Sequence, residues 1–430
     1  MLTSRFAAAG AAALFLAVAA GPLAAQSDAI TAFTGARLID GTGRATVEDA
    51  TLLVRGGRVV AAGAAARVPI PSGATRVSLA GKWVMPGLVN AHGHVGDTDG
   101  LEGGRYSAAN VMRDLRLYAD YGVTTVFSLG GDGPPSFAAR DAQRTPSLDR
   151  ARIFVAGPVL TPKDPQDARR LVDEDKRLGV NIVKIRVDDN LHTTPKMAPE
   201  VYRAVIDQAH KDGLRAATHL FYLSDAKALL DAGSDFIAHS VRDTDVDADF
   251  IAKMKARKVC YCPTLTREVS TFVYGSTPAF FSDPFFLKHA DMRVVNALKD
   301  PKRQDAMRDS REAREYKAGL AVAERNLKTL SDAGVTIAMG TDSGPPARFQ
   351  GYFEQLELAM MVESGLTPRQ ALAAATRDAA SCMRLNEVGT LEPGKWADFL
   401  VLDADPLADI KNTRAIDSVW IAGNRIVASR

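Results

Sequence analysis

From residue 28 to 84 the chain alternates short apolar runs with glycine turns. In "ATLLVRGGRVVAAG" two runs flank Gly56 and Gly57, the signature of a β-hairpin. The last segment has the same texture: "GKWADFLVLDADPL" and "IDSVWIAGNRIV" are β-like, and "AGNR" marks another turn. β-rich pieces are therefore expected over 26–84 and 386–430. Between them, apolar β-branched runs recur at "GVTTVFSLG", "ARIFVAGPVL", "GVNIVKIRV", "LRAATHLF", "SDFIAHSV", "KVCYCPTL" and "GVTIAMGTDSG". With the run ending at His94 they number eight. Helix-like stretches at 107–121, 165–179, 199–213, 224–233 and 247–257 separate them, several ending in the glycine that a helix C-terminus favours. The second helix, near 137–143, is poorly patterned. Continuous apolar strands alternating with helices predict a parallel sheet buried on both faces. Eight such units predict an α/β fold of the closed (β/α)8 kind, a TIM barrel over 85–385.

One connection is long. From 266 to 332 the chain runs far past an ordinary loop and carries Phe272, Tyr274, Phe280, Phe281, Phe285 and Phe286. So many aromatics do not suit a solvated loop, and the segment is expected to act as a lid over the barrel mouth.

Composition narrows the class. The chain has 430 residues, 46% of them hydrophobic, and a net charge of +2. That supports a large core and gives no bulk field for nucleic acid or a membrane surface. Residues 1–25 read as a secretory signal peptide: Arg5, an apolar centre over 7–20, and the small-residue site "PLAAQ", with the cut after Ala25. No later run is apolar for 18 residues, so a soluble periplasmic or secreted protein is expected. Cys260, Cys262 and Cys382 are the only cysteines. "CYC" is a poor disulfide pair, and all three are read as buried small hydrophobes.

The candidate chemistry lies at strand ends, where a barrel keeps its reactive groups. His92 and His94 stand two apart in a strand and so face one side. Lys184 lies in the fourth run, His219 ends the fifth, His239 ends the sixth, and Asp342 ends the eighth. Imidazoles with a carboxylate suit zinc and related divalent ions. His192, His210 and His289 fall in loops or on helix faces and receive no role. Burial beside metal ions lowers a lysine's pKa, and the neutral amine of Lys184 can then take up carbon dioxide. The resulting carbamate is an oxygen ligand able to bridge two ions about 3.5–4 Å apart. An ordinary lysine paired with Asp188 or Asp189 is the alternative.

These residues, in this order, resemble the amidohydrolase superfamily in its two-metal branch with a carboxylated lysine. "PGLVNAHGHV", "VKI", "THLF", "AHS", "GTDSG" and "GTLEPGKWADFLVLDADPL" all match. The likeness is closest to imidazolonepropionase-like and Xaa-Pro-dipeptidase-like members and covers nearly the whole mature chain. It implies a small β-sandwich built from both chain ends. It also implies that His92, His94, Lys184 and Asp342 hold one ion and that Lys184, His219 and His239 hold a second, with a hydroxide between them. Asp342 would be the general base and then protonate the leaving amine. Deaminating relatives often carry a glutamate where this chain has Tyr222, which favours hydrolysis of an amide or ester. Tyr222 is a candidate donor to the developing oxyanion. Arg242 is a candidate clamp for a substrate carboxylate, with a salt bridge to Asp243 or Asp245 as the alternative. The expected substrate is a dipeptide or N-acyl amino acid, including aromatic, ochratoxin-like amides. Lactones or aryl esters are the second reading, and a non-catalytic binding protein the third. Related hydrolases assemble, so a homo-oligomer is expected.

Overall fold

The computed structural model describes residues 29–427. The leader expected over 1–25 lies outside these residues. Seven of the eight expected barrel runs form parallel strands: Leu88–Gly93, Val123–Ser128, Arg152–Val155 continued by Val159–Leu160, Val183–Arg186, Ala216–His219, Phe236–Ala238 and Cys260–Cys262. The third strand is interrupted at Gly157 and Pro158, so its first half pairs backward and its second half forward. The eighth run is not a regular strand, yet it closes the ring. Tyr261 donates to Thr336 and Ala338 donates to Tyr261 on one side, while Ala91 donates to Met339 on the other.

The helices follow their signals. Ser107 and Asp164 cap Ala108–Asp120 and Pro165–Leu178 through their side chains, and Gly179 and Gly233 end their helices at positive φ. The weakly patterned second helix is present as Pro134–Asp141, started by prolines in its first turn.

Strands from both chain ends make one eight-stranded sheet. Trp83–Pro86 pairs antiparallel with Phe399–Leu402, which joins the two ends. Both expected hairpin turns appear, with Gly56 and Gly57 and then Ala422 and Gly423 at positive φ. The sheet closes into a roll where its edge strand Arg58–Ala64 meets the turn before Phe399–Leu402 (Val59 N to Lys395 O, 2.9 Å; Gly394 N to Val59 O, 2.8 Å). Phe33 packs at 5.1 Å from Phe399 and 4.8 Å from Trp420 inside the roll. A buried ion pair fixes this unit to the third barrel strand: Arg152 Nε donates to Asp398 Oδ2 at 2.6 Å, and the guanidinium lies over Trp396.

One expectation changes. The cysteines are not three free thiols: Cys260 and Cys382 form a disulfide across 122 residues, and only Cys262 stays a buried thiol. Cys262 was the wrong partner to consider, because neighbours two apart in a strand run parallel while Cys382 approaches Cys260 from the helix Arg377–Cys382. The aromatics of the insertion turn on one another instead of standing free as a loop. Tyr274, Phe281 and Phe286 are buried against Tyr121, Phe349, Tyr352 and Phe353. These rings face one another and form a satellite core. The segment approaches the barrel mouth through its first helix, Leu265–Val269, and through Tyr316 of the long helix Arg311–Asp332.

Candidate metal centre

The first strand delivers His92 and His94 to the barrel mouth. Their partner comes from the eighth run, where Thr341 and Asp342 both donate their backbone N–H to His92 O. Gly340 permits this approach, since a Cβ there would lie 2.5 Å from Cys262 Sγ and 2.8 Å from His92 Cβ. Asp342 itself sits at φ 55°, a conformation held by its surroundings. Ligand atoms of His92, His94 and Asp342 all lie within 4.8 Å of one another. His94 Nε2 is 2.8 Å from Asp342 Oδ1.

The other three residues close the group. Lys184 Nζ lies 3.2 Å from His92 Nε2. The rings of His92 and His239 are 4.6 Å apart, and those of His219 and His239 are 4.1 Å apart. The sequence-predicted six therefore converge on one space. Three of the four imidazoles have one ring nitrogen held by a partner, which turns the other one inward. His94 Nδ1 donates to Gly130 O at 2.8 Å, His219 Nε2 meets Asp188 Oδ2 at 3.2 Å, and His239 Nδ1 meets Thr264 Oγ1 at 2.8 Å. Asp188 is anchored in turn by Arg186, so it is not the partner of Lys184.

The electrostatics suit cation binding. Burial holds His92 and His239 far below the ordinary imidazole range and brings His219 down to about 3, so all three are neutral donors. Burial also lowers Lys184 to about 8, which leaves roughly a tenth of it as neutral amine at pH 7. Burial alone would raise Asp342, but Arg348 and His94 outweigh it and keep the group a carboxylate. His92 Nε2 faces Lys184 and Asp342, while its Nδ1 is buried without a hydrogen-bond partner. Four imidazoles, a carboxylate and an amine that can become a carbamate fit a pair of divalent ions.

Two glutamates absent from the sequence reading support the site. Both stand on the helix Tyr352–Glu363 and both are fully buried. Glu354 Oε1 accepts from Asn90 Nδ2, Thr341 Oγ1 and Ser343 Oγ, each at 2.6 Å. It thus grips both neighbours of Asp342. Glu357 accepts from Leu265 N, Thr266 N and Thr266 Oγ1, and so holds the turn after the seventh strand. Their signal was two acids three apart in a mostly apolar helix, "YFEQLELAM".

The substrate-side candidates come out differently. Arg242 is fully buried; its Nη1 lies 3.1 Å from Glu268 Oε1, and neither Asp243 nor Asp245 is its partner. Its guanidinium is committed to Glu268, which takes the place of the expected clamp role and of the alternative salt bridge. Tyr222 stands in the wall, but its hydroxyl donates to Asp189 Oδ1 at 2.8 Å rather than facing the cluster. Arg348 and Arg267, unremarked in the sequence, occupy the position beside Asp342 instead. His192, His210 and His289 stand with Asp189, Asp235 and Asp120 and take no part in the cluster.

The profile of the Amidohydrolase family matches residues 83–426. An imidazolonepropionase of Streptomyces avermitilis is 26% identical over 399 residues, covering 88% of this chain and 87% of its own. The ochratoxinase of Aspergillus niger is 25% identical over 290 residues, covering 64% of this chain and 52% of its own. Among solved structures, a candidate prolidase from Bifidobacterium longum superposes with a TM-score of 0.75 at 26% identity, covering 93% of this chain and 95% of that one. The barrel, the sheet from both chain ends and the histidine–aspartate cluster define a metal-binding hydrolase of the TIM-barrel type. The chain belongs to the amidohydrolase family and is a hydrolytic enzyme acting on carbon–nitrogen bonds.

Proposed function

We propose that the protein cleaves the amide bond of a dipeptide or N-acyl amino acid, aromatic ones included. The observation that carries this reading is the convergence of His92, His94, Lys184, His219, His239 and Asp342 on one space at the mouth. His92, His94 and Asp342 would hold one divalent ion, His219 and His239 a second, and Lys184, as its carbamate, would bridge them; zinc suits these donors. When bound, the ions supply Lewis acidity toward the carbonyl and lower the pKa of water.

The chain's own groups do the rest. Asp342, kept ionised by Arg348 and His94, is placed to take a proton from the attacking water. The same carboxyl then delivers that proton to the departing nitrogen. Tyr222 would serve a substrate carbonyl by exchanging Asp189 for it. Export through the leader over 1–25 is part of the same proposal, and the Cys260–Cys382 bridge supports it, because such bonds persist in oxidising compartments.

Asp342→Asn tests the reading on protein loaded with zinc and bicarbonate and screened against dipeptides and N-acyl amino acids. Metal content should stay nearly intact while kcat falls at least about a hundredfold. Full turnover in the variant, or no bound metal in the wild type, would overturn it.

A further inference from the structure

Two arginines share one glutamate beside the cluster, and a third stands on Asp342. Glu268 Oε1 lies 3.1 Å from Arg242 Nη1, and Oε2 lies 3.1 Å from Arg267 Nη1. A single buried carboxylate thus serves two buried guanidiniums. Tyr316 takes up one more N–H, accepting from Arg267 Nη2 at 3.0 Å. Even so, Arg242 Nε, Arg242 Nη2 and Arg267 Nε remain buried without acceptors. Arg348 completes the set and hydrogen-bonds Asp342. Desolvated cations in excess of anions are costly unless an anion joins them.

The three differ in access. The Arg242 side chain is wholly enclosed, Arg267 is 7% exposed and Arg348 is 19% exposed. Arg348 is therefore the head that a ligand meets, with Arg267 behind it. Its present anionic neighbour is the carboxylate that the proposed reaction uses to carry the proton. Once Asp342 is engaged there, Arg348 is left without its carboxylate, while Glu268 still serves Arg242 and Arg267.

We propose that Arg348, backed by Arg267, binds the carboxylate of the leaving group, so that the substrates are amides of α-amino acids. This rests on the reading of Asp342 as proton carrier. Arg348 and the departing nitrogen then share one neighbour, Asp342, and an α-carboxylate is only two bonds from that nitrogen. In the reaction, water oxygen bonds to the acyl carbon and the carbon–nitrogen bond breaks. The proton held by Asp342 goes to nitrogen, leaving an acyl carboxylate and a free amino acid. Arginine suits the task because its planar fork meets both carboxylate oxygens.

The test compares N-acetyl-L-amino acids with their C-terminal primary amides on the zinc-loaded full chain, scoring release of acetate. Calorimetry in parallel measures binding of the product amino acids and of their primary amides. The acid should exceed the amide by at least about a hundredfold in kcat/KM. Arg348→Met and Arg267→Met should each shrink that ratio at least about tenfold, mainly through KM, and weaken amino-acid binding in step. Arg348→Lys should restore part of it. Equal cleavage of acid and amide by the wild type would sink the assignment while leaving the amide-hydrolase reading intact. Arginine-dependent binding of amino acids without cleavage of any amide would do the reverse. Variants that lower acid and amide alike would show a merely structural role and overturn the proposal.

Discussion

Replacing Glu354 with alanine removes the acceptor of three buried hydrogen bonds at once. The donors are not equally harmed. Ser343 Oγ also lies 2.7 Å from Tyr118 Oη and can re-pair there. Asn90 Nδ2 retains only Thr341 Oγ1, at 3.0 Å, and Thr341 has no second acceptor of comparable quality. Two orphaned donors at about 1–3 kcal/mol each give a loss of about 2–6 kcal/mol. Removing a carboxylate that burial penalises offsets part of this. A net loss of about 2–4 kcal/mol in urea unfolding is expected. Activity should fall more steeply than stability suggests, because Thr341 and Ser343 flank Asp342. A shift of about 1 Å there costs on the order of a hundredfold in kcat. Glu354→Gln keeps one oxygen in place and should lose less than about 1.5 kcal/mol. If alanine leaves both the unfolding midpoint and kcat unchanged, Glu354 does not hold the loop. If glutamine is as damaging as alanine, the negative charge matters and the counting of hydrogen bonds is wrong.

Other expectations follow from single features. Cys382→Ser opens a loop closed over 122 residues and should lower unfolding free energy by about 2–4 kcal/mol. Wild-type protein with reductant should match it, and no shift in either would contradict the bridge. Asp175 is buried, its Oδ2 has no hydrogen-bond partner, and burial raises its pKa to about 7. The unfolded carboxyl titrates near about 4, so the folded form binds more protons between the two values. Its contribution is complete below pH 4 and is lost as pH rises through 7. Asp175→Asn should flatten that part of the stability profile and be the more stable protein at pH 8; an unchanged slope would refute the assignment.

The barrel was legible because its strands are buried on both faces and so read as unbroken apolar runs. The metal cluster was legible because strand ends in such a barrel converge, so residues remote in sequence meet by topology alone. Lys184 and His219 needed no partner to be noticed. Glu354, Glu357 and Glu268 did: a buried acid shows itself only with its donors, and those come from turns elsewhere in the chain. Arg242 misled because its place after His239 gives its neighbourhood but not its direction, which Glu268 sets from the insertion. The disulfide escaped for a related reason, as spacing cannot say which helix closes against Cys260. The eighth run carried a strand's apolar pattern, yet its backbone turns early to bring Asp342 onto His92.

The sheet shared by the two chain termini has a consequence for synthesis. Trp83–Pro86 leaves the ribosome early, but its partner Phe399–Leu402 is among the last segments made. A product that stops before Phe399 keeps an open strand edge with bare N–H and C=O groups, an invitation to pair with another chain. Late truncation would thus yield a self-associating species instead of a slightly shortened enzyme, and cellular quality control could tell finished molecules from unfinished ones by that edge alone.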